Sequence, residues 1–266
     1  MTYSSKLKNG ATVKASLHKN LIIIKVEDDP ISWQRPTFQY TKEMQDEKMM
    51  FFQHKLQYIL LGMMYQKGWT AFRSAVDMQI LIRTKKSLND FRLEYVLKAV
   101  LDGCNQHIIL DDQLIQNVVI DVIPLKGRQR TDQLEIVINE RASGRRLEIQ
   151  TDLIIAEKRL PIAYNISARS VYDQVQLDYQ ADLQRALSTV LQPYQTKLVD
   201  RRFECHIRFD TSNFNQDADN MALMYLPVLR KLLMPVQDQL ISIGLYKRDT
   251  SDTSINGTSI NLLLTK

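Results

Sequence analysis

The stretch Asp217-Ala218-Asp219-Asn220-Met221-Ala222-Leu223 places two carboxylates one residue apart, directly before an apolar run with helical spacing. In extended backbone, side chains at i and i+2 point the same way, so Asp217 and Asp219 can offer hard oxygen ligands to one cation. Such ligands suit Mg²⁺ or Mn²⁺, with water filling the other positions. A divalent ion held this way stabilises charge on a phosphate and activates water for in-line attack. Asp249, in the loop expected beyond the helix, is a third candidate ligand. A simpler reading is also open, in which Asp219 or Asn220 caps the helix and favours its positive end.

A second place has the same character. Asn89-Asp90-Phe91-Arg92-Leu93-Glu94-Tyr95 opens a helical run, and Asp111-Asp112 follows it. Here Arg92 stands where Asp217 stands, Glu94 for Asp219 and Tyr95 for Asn220. Lys98 lies four residues past Glu94. The simpler reading is an exposed i, i+4 ladder of Glu94, Lys98 and Asp102.

Other chemistries find little support. His18, His54, His107 and His206 form no zinc pattern, and Cys104 and Cys205 lie far apart and read as reduced, buried thiols. No apolar run approaches the roughly 20 residues that cross a bilayer. The polar start of the chain has no apolar core of a secretory signal, so the protein reads as cytoplasmic. The net charge of +5 favours polyanions mildly. The basic residues form short clusters: Lys85 and Lys86; Lys126, Arg128 and Arg130; Arg145 and Arg146; Arg201 and Arg202. Each is a candidate DNA contact or a solvated surface.

The elements that must position these residues appear twice. A β-branched strand at 21–27, a helix over 42–68, a strand over 76–86, a helix over 93–104, and two strands at 117–125 and 133–140 form the first series. The two strands are expected to pair with each other. A strand at 148–157, a helix over 170–191, a strand over 203–212, a helix from Met221, a connection at 244–252 and a hairpin around Asn256-Gly257 form the second. The fold class is α+β: two similar β-α-β-α-β-β domains, each a mixed sheet with two packed helices, forming a pseudo-dimer. The expected division is a polar basic tail at 1–20, a domain at 21–141, a linker at 142–146 and a domain at 147–266.

The stretches 93–103, 108–127 and 133–140, with Asp217–Asn220 and Gly244–Asp249, resemble the RusA family of Holliday-junction resolvases. That family's pattern is a basic stretch, D-x-D-N-L-x-K opening a helix, a Gly-aromatic-x-D-D connection and a two-stranded finish. The resemblance covers roughly residues 21–266. It implies an Mg²⁺-dependent endodeoxyribonuclease acting on branched double-stranded DNA, with the tandem copy a covalent, monomeric form of a homodimer. It implies that Asp217, Asp219 and Asp249 hold Mg²⁺ (or Mn²⁺), with a weaker second set of Glu94, Asp111 and Asp112, and that Lys98 contacts phosphate. The chain also departs from the pattern. Leu223 replaces the lysine in the second half, and Arg92 replaces the first aspartate in the first half, where a guanidinium repels a divalent ion. One competent site and a nicking activity are expected. The alternative is a junction-binding protein without catalysis, and a third reading is a module that docks on another protein.

Overall fold

Apolar and polar residues alternate along most strands, and the burial follows. In β4 (Val76–Thr84) the side chains of Val76, Met78, Ile80 and Ile82 are buried and the intervening ones face outward. The computed structural model describes residues 2–32, 47–88, 92–125, 132–152, 171–198, 201–233, 239–251 and 255–265. In chain order these hold β1 (Thr2–Lys6), β2 (Thr12–His18), β3 (Leu21–Glu27), α1 (Glu47–Gln66), β4, α2 (Leu93–Cys104), β5 (Ile115–Pro124), β6 (Gln133–Glu140) and β7 (Arg146–Thr151). They continue with α3 (Val171–Leu191), α4 (Gln195–Leu198), β8 (Arg202–Thr211), α5 (Ala218–Leu233), β9 (Leu240–Asp249) and β10 (Gly257–Thr265). The class is mixed α+β, as expected.

The chain divides into two compact units. The first holds Met1–Gln39, Asn165–Leu240 and Gly244–Lys266; the second holds Tyr40–Tyr164 with Ile241–Ile243. In the second unit the strand order is β5-β4-β6-β7, with β4 parallel to β5, antiparallel to β6, and β6 antiparallel to β7. In the first unit the order is β9-β8-β10-β3-β2-β1, with β10 antiparallel to both β8 and β3. Four strands of each unit share an order, β5-β4-β6-β7 in one and β9-β8-β10-β3 in the other, and each unit has a packed helix pair, α1 with α2 and α3 with α5.

The units are not the halves expected from sequence. The leading strand of each half belongs to the other unit: β3 pairs with β10, and β7 with β6. The division at 142–146 is therefore corrected. Arg141–Arg145 is a hairpin turn closing β6 onto β7, and it is pinned rather than loose. Buried Glu140 accepts hydrogen bonds from the backbone N–H of Arg73 (2.9 Å) and Ser74 (3.2 Å), the Ser143 hydroxyl and Arg145 Nε (2.9 Å). The Arg145 guanidinium lies over the Phe72 ring at 4.8 Å. The expected pairing of 117–125 with 133–140 also fails, because β4 lies between β5 and β6. The strand at 148–157 begins two residues early as β7, and its described part ends at Thr151.

Residues 2–20 are not a tail. Val13 and Ala15 are fully buried while Thr12, Lys14 and Ser16 alternate with them, so β2 is an amphipathic strand whose lysine lies on its outer side. Gly10, at φ +89°, supplies the left-handed turn between β1 and β2. Sequence 240–249 is likewise a strand, not a connection, and β10 is one strand, not a hairpin.

Helix α1 buries Phe52, Leu56, Leu60 and Met64 at i, i+4 spacing and packs against α2. Helices α3 and α5 pack together, α3 also against β1 and β2, and α5 against β8. Pro227 lies inside α5, where it removes the donor that the Leu223 carbonyl would receive. Gln180 Nε2 on α3 donates to that carbonyl at 2.9 Å, so the break is satisfied by the neighbouring helix.

Gly257 begins β10 against β3, and a Cβ there would meet the Val26 carbonyl oxygen at 2.9 Å. Gly257→Ala is expected to cost about 1–3 kcal/mol, since the obstacle is backbone. An unchanged urea midpoint would show that β3 and β10 separate freely.

Candidate functional site

In the first unit, β8 delivers the chain to the start of α5. The Met221 N–H donates to the Asp217 carbonyl at 3.0 Å, so Asp217 occupies the cap position and Asp219 is the second helical residue. Neither Asp219 nor Asn220 is the cap. Asn220 Nδ2 donates to Asp217 Oδ2 at 2.8 Å. Asp219 is only 6% exposed, a carboxylate buried at the positive end of a helix.

A lysine that the sequence reading left in a connection belongs to this junction. Lys247, on β9 and 6% exposed, donates from Nζ to the carbonyls of Gln216 (3.2 Å) and Phe214 (3.5 Å) and lies 4.9 Å over the Phe214 ring. It thus fixes the backbone immediately before Asp217. The alternation of β9 was the signal for it: Ile243, Leu245 and Lys247 share one buried face, a pattern hidden because Gly244 looks like a turn residue.

Asp249 does not join this group. It is exposed at the end of β9, accepts from the Ser251 N–H at 2.9 Å, and that hydrogen bonding holds its carboxyl below the usual range.

In the second unit, β4 delivers the chain to α2 in the same way. Arg92 is the cap residue, makes no side-chain cap bond, and stacks at 5.6 Å over Tyr95, whose hydroxyl accepts from Nη1 at 3.3 Å. Glu94, 4% exposed, is the second residue of α2, the place that Asp219 has in α5. Lys98 is also 4% exposed and is paired with Asp102 at 3.2 Å. The ladder exists at Lys98–Asp102, but with Lys98 buried and Asp102 half-buried, so Lys98 is not presented to solvent as a phosphate contact. Asp111 caps the short 3₁₀ turn Asp112–Leu114 by accepting from the Gln113 N–H at 2.9 Å, and Asp112 accepts from Asn105 Nδ2 at 3.1 Å.

The topology corrects one correspondence. Asp111 and Asp112 lie just before β5, whereas Asp249 ends β9, the strand equivalent to β5. Ten residues of strand separate those two positions, about 30 Å. A repeat identity marks the proper match: Asp112-Gln113-Leu114-Ile115 recurs as Asp238-Gln239-Leu240-Ile241. Asp238 lies outside the described residues. Among the described residues, neither unit by itself gathers three Asp, Glu, His or Cys ligand atoms within 4.8 Å. The sets Asp217–Asp219–Asp249 and Glu94–Asp111–Asp112 are therefore not closed cages within a unit.

The basic clusters divide. Lys85 and Lys86 are exposed at the end of β4, on the approach to α2. Arg201 and Arg202 are exposed at the start of β8, the opposite end of that strand from Asp217. Lys126, Arg128 and Arg130 lie outside the described residues. Cys104 and Cys205 are buried, and burial pushes the Cys104 thiol up to about 12.

No protein-family model, curated protein or solved structure matches this chain. Among the described residues, no helix is long and apolar enough to cross a membrane.

Proposed function

We propose that the chain is a duplicated nucleic-acid module similar to the RusA resolvases, which hydrolyses a phosphodiester of branched DNA with Mg²⁺ or Mn²⁺. The observation that carries this reading is the repeated junction. Each unit places a nearly buried carboxylate, Glu94 or Asp219, at the second position of the helix that comes after β4 or β8. The helix start favours an acid at that place, and its recurrence in both units is what supports the reading.

The first unit is the working one in this reading. Mg²⁺ is commonly held through one or two carboxylates plus substrate phosphate and water, so Asp217 and Asp219 suffice as protein ligands without Asp249. The ion would supply charge neutralisation at the phosphate and an activated water. The chain's own contribution is positioning: Asn220 holds the Asp217 carboxylate, and Lys247 holds the 214–216 backbone that presents it. Arg92 at the equivalent position of the second unit opposes a divalent ion there.

The assay is cleavage of a labelled four-way DNA junction with Mg²⁺. Single nicks are expected, because one unit has the ligands and two nicks are needed to resolve a junction. Paired symmetric nicks formed as fast as single ones would overturn the one-site assignment. A second reading, a junction-binding protein without catalysis, is favoured by the engagement of Lys98 with Asp102 and by Arg92. Tight junction binding with no metal-dependent nick would select it.

A further inference from the structure

The strand register of the first unit aligns basic side chains from neighbouring strands in one row. Lys14 on β2 faces Lys25 on β3, Lys25 faces Ser259 on β10, and Ser259 faces Arg208 on β8. Directly opposed residues share a face of a sheet. At roughly 4.8 Å per strand the row is about 14 Å long. It lies on the outward face, since the residues alternating with it, Val13, Ile24, Val26, Ile207, Phe209 and Ile260, are buried on the other.

A cleft of about 350 Å³ opens on this row. Lys25, Arg208, Arg248 and Asp210 line it, with Ser259 and Gly257. Gly257 lies opposite Asp210, so no side chain rises from β10 there. Two carboxylates accompany the four cations. Glu27 is engaged by Lys14 at 2.5 Å, and Asp210 by Arg208 at 3.1 Å, with Arg248 Nε 4.0 Å from its other oxygen. Lys25 is exposed, and the Arg248 side chain is 58% exposed. Beside the cleft, His206 and Tyr246 stack with ring centroids 5.9 Å apart and planes 21° from parallel. His206 lies one step along the same face, opposite Asn261.

We propose that this face binds single-stranded nucleic acid, with backbone phosphates on Lys25, Arg208 and Arg248 and bases against the His206–Tyr246 pair. Cations spaced across a sheet with an adjacent aromatic step match what an unpaired strand offers, since its bases are free to stack and its phosphates are evenly charged. A duplex hides its base faces and would use only the cations. The inference rests on the reading of the chain as a nucleic-acid protein and adds a second contact region, apart from the Asp217–Asp219 junction.

The test is fluorescence anisotropy of a labelled oligothymidine with the full chain over a salt series. Lys25→Gln/Arg208→Gln/Arg248→Gln is expected to weaken binding 10-fold or more and to reduce the log K against log salt slope by about 2, near 0.7 per lost phosphate contact. Ser259→Glu places a carboxylate between two cations, so it should fold with a retained circular-dichroism melt and lose binding to a similar extent. Lys19→Gln/Lys55→Gln/Lys67→Gln removes the same charge elsewhere, at residues outside the candidate contacts, and should bind nearly as wild type. Equal affinity in wild type, the triple variant and Ser259→Glu overturns the site. Failure of wild type to bind oligothymidine while it still nicks a four-way junction overturns the site and leaves the nuclease reading standing. Loss of both overturns the nucleic-acid reading itself. Displacement of the strand by equimolar inorganic pyrophosphate would identify a small phosphate ligand instead and overturn the proposal.

Discussion

Asp219→Asn is expected to lower Mg²⁺-dependent nicking of a four-way DNA junction by about 10³-fold, close to 4 kcal/mol of transition-state stabilisation. The reasoning starts from burial. Asp219 is 6% exposed at the second position of α5, so its charge is compensated locally by the helix start and by whatever it binds. Asparagine keeps the shape and a hydrogen-bonding capacity, but removes the negative charge a divalent ion requires. Junction binding should change little, since phosphate contacts are made by cations. Asp249→Asn serves as the internal control and should nick at the wild-type rate, because Asp249 is exposed at the end of β9 and engaged with Ser251. Equal rates for wild type and Asp219→Asn would remove Asp219 from the chemistry. A loss with Asp249→Asn alone would restore the assignment made from sequence.

Glu140→Gln is expected to destabilise the second unit by about 3 kcal/mol at pH 7. Burial by itself pushes the Glu140 carboxyl up, but hydrogen bonds from Ser143, the Arg73 N–H, Arg145 and Ser74 outweigh it and hold the carboxyl at about 2, against an ordinary 4.5. A depression of that size corresponds to about 3 kcal/mol at 1.36 kcal/mol per unit. The sign follows from the depression. The stabilisation is complete above the unfolded value near 4.5 and is lost as pH falls toward about 2. Urea unfolding at pH 7 should show the midpoint of Glu140→Gln shifted down by about 1 M or more. Between pH 5 and pH 2 the wild type should lose stability more steeply than the variant. Parallel pH curves for the two proteins would show that the carboxylate is not what pins the 141–145 turn.

Much of this was legible before any coordinates. The order of strands and helices from Leu21 through α3 follows from periodicity, and α2 and β6 fall on the residues expected. What periodicity could not supply was partnership. Strand β3 reads the same whether it pairs with a strand of its own half or with β10, because its alternation specifies a face and not a neighbour. Residues 2–18 were obscured by Lys6, Lys14 and Ser16, which give the segment a polar average although Val13 and Ala15 face inward. Lys247 was obscured by type: a lysine on a buried strand face is rare enough that its neighbours Gly244 and Asp249 dominated the reading. At the site, two carboxylates before a helix were legible, but not that Asp217 caps α5 and Asp219 lies within it, because helix replaces the expected extended backbone from Ala218. The mismatch of Asp249 with Asp111 and Asp112 was not legible either, because it depends on which end of a strand each carboxylate occupies.

The exchange of leading strands has a consequence for how the protein is made. During synthesis the second unit is contiguous over Tyr40–Tyr164, so nearly all of its sheet emerges in one uninterrupted stretch. The first unit has no such opportunity. Its β1-β2-β3 meander leaves the ribosome ahead of the second unit and waits for β10, made after that unit, before β3 gains its remaining neighbour. For most of translation β3 is therefore an unpaired edge rich in isoleucine, the kind of segment that invites pairing with other chains. Truncation near the C-terminus should consequently harm the beginning of the chain more than its middle.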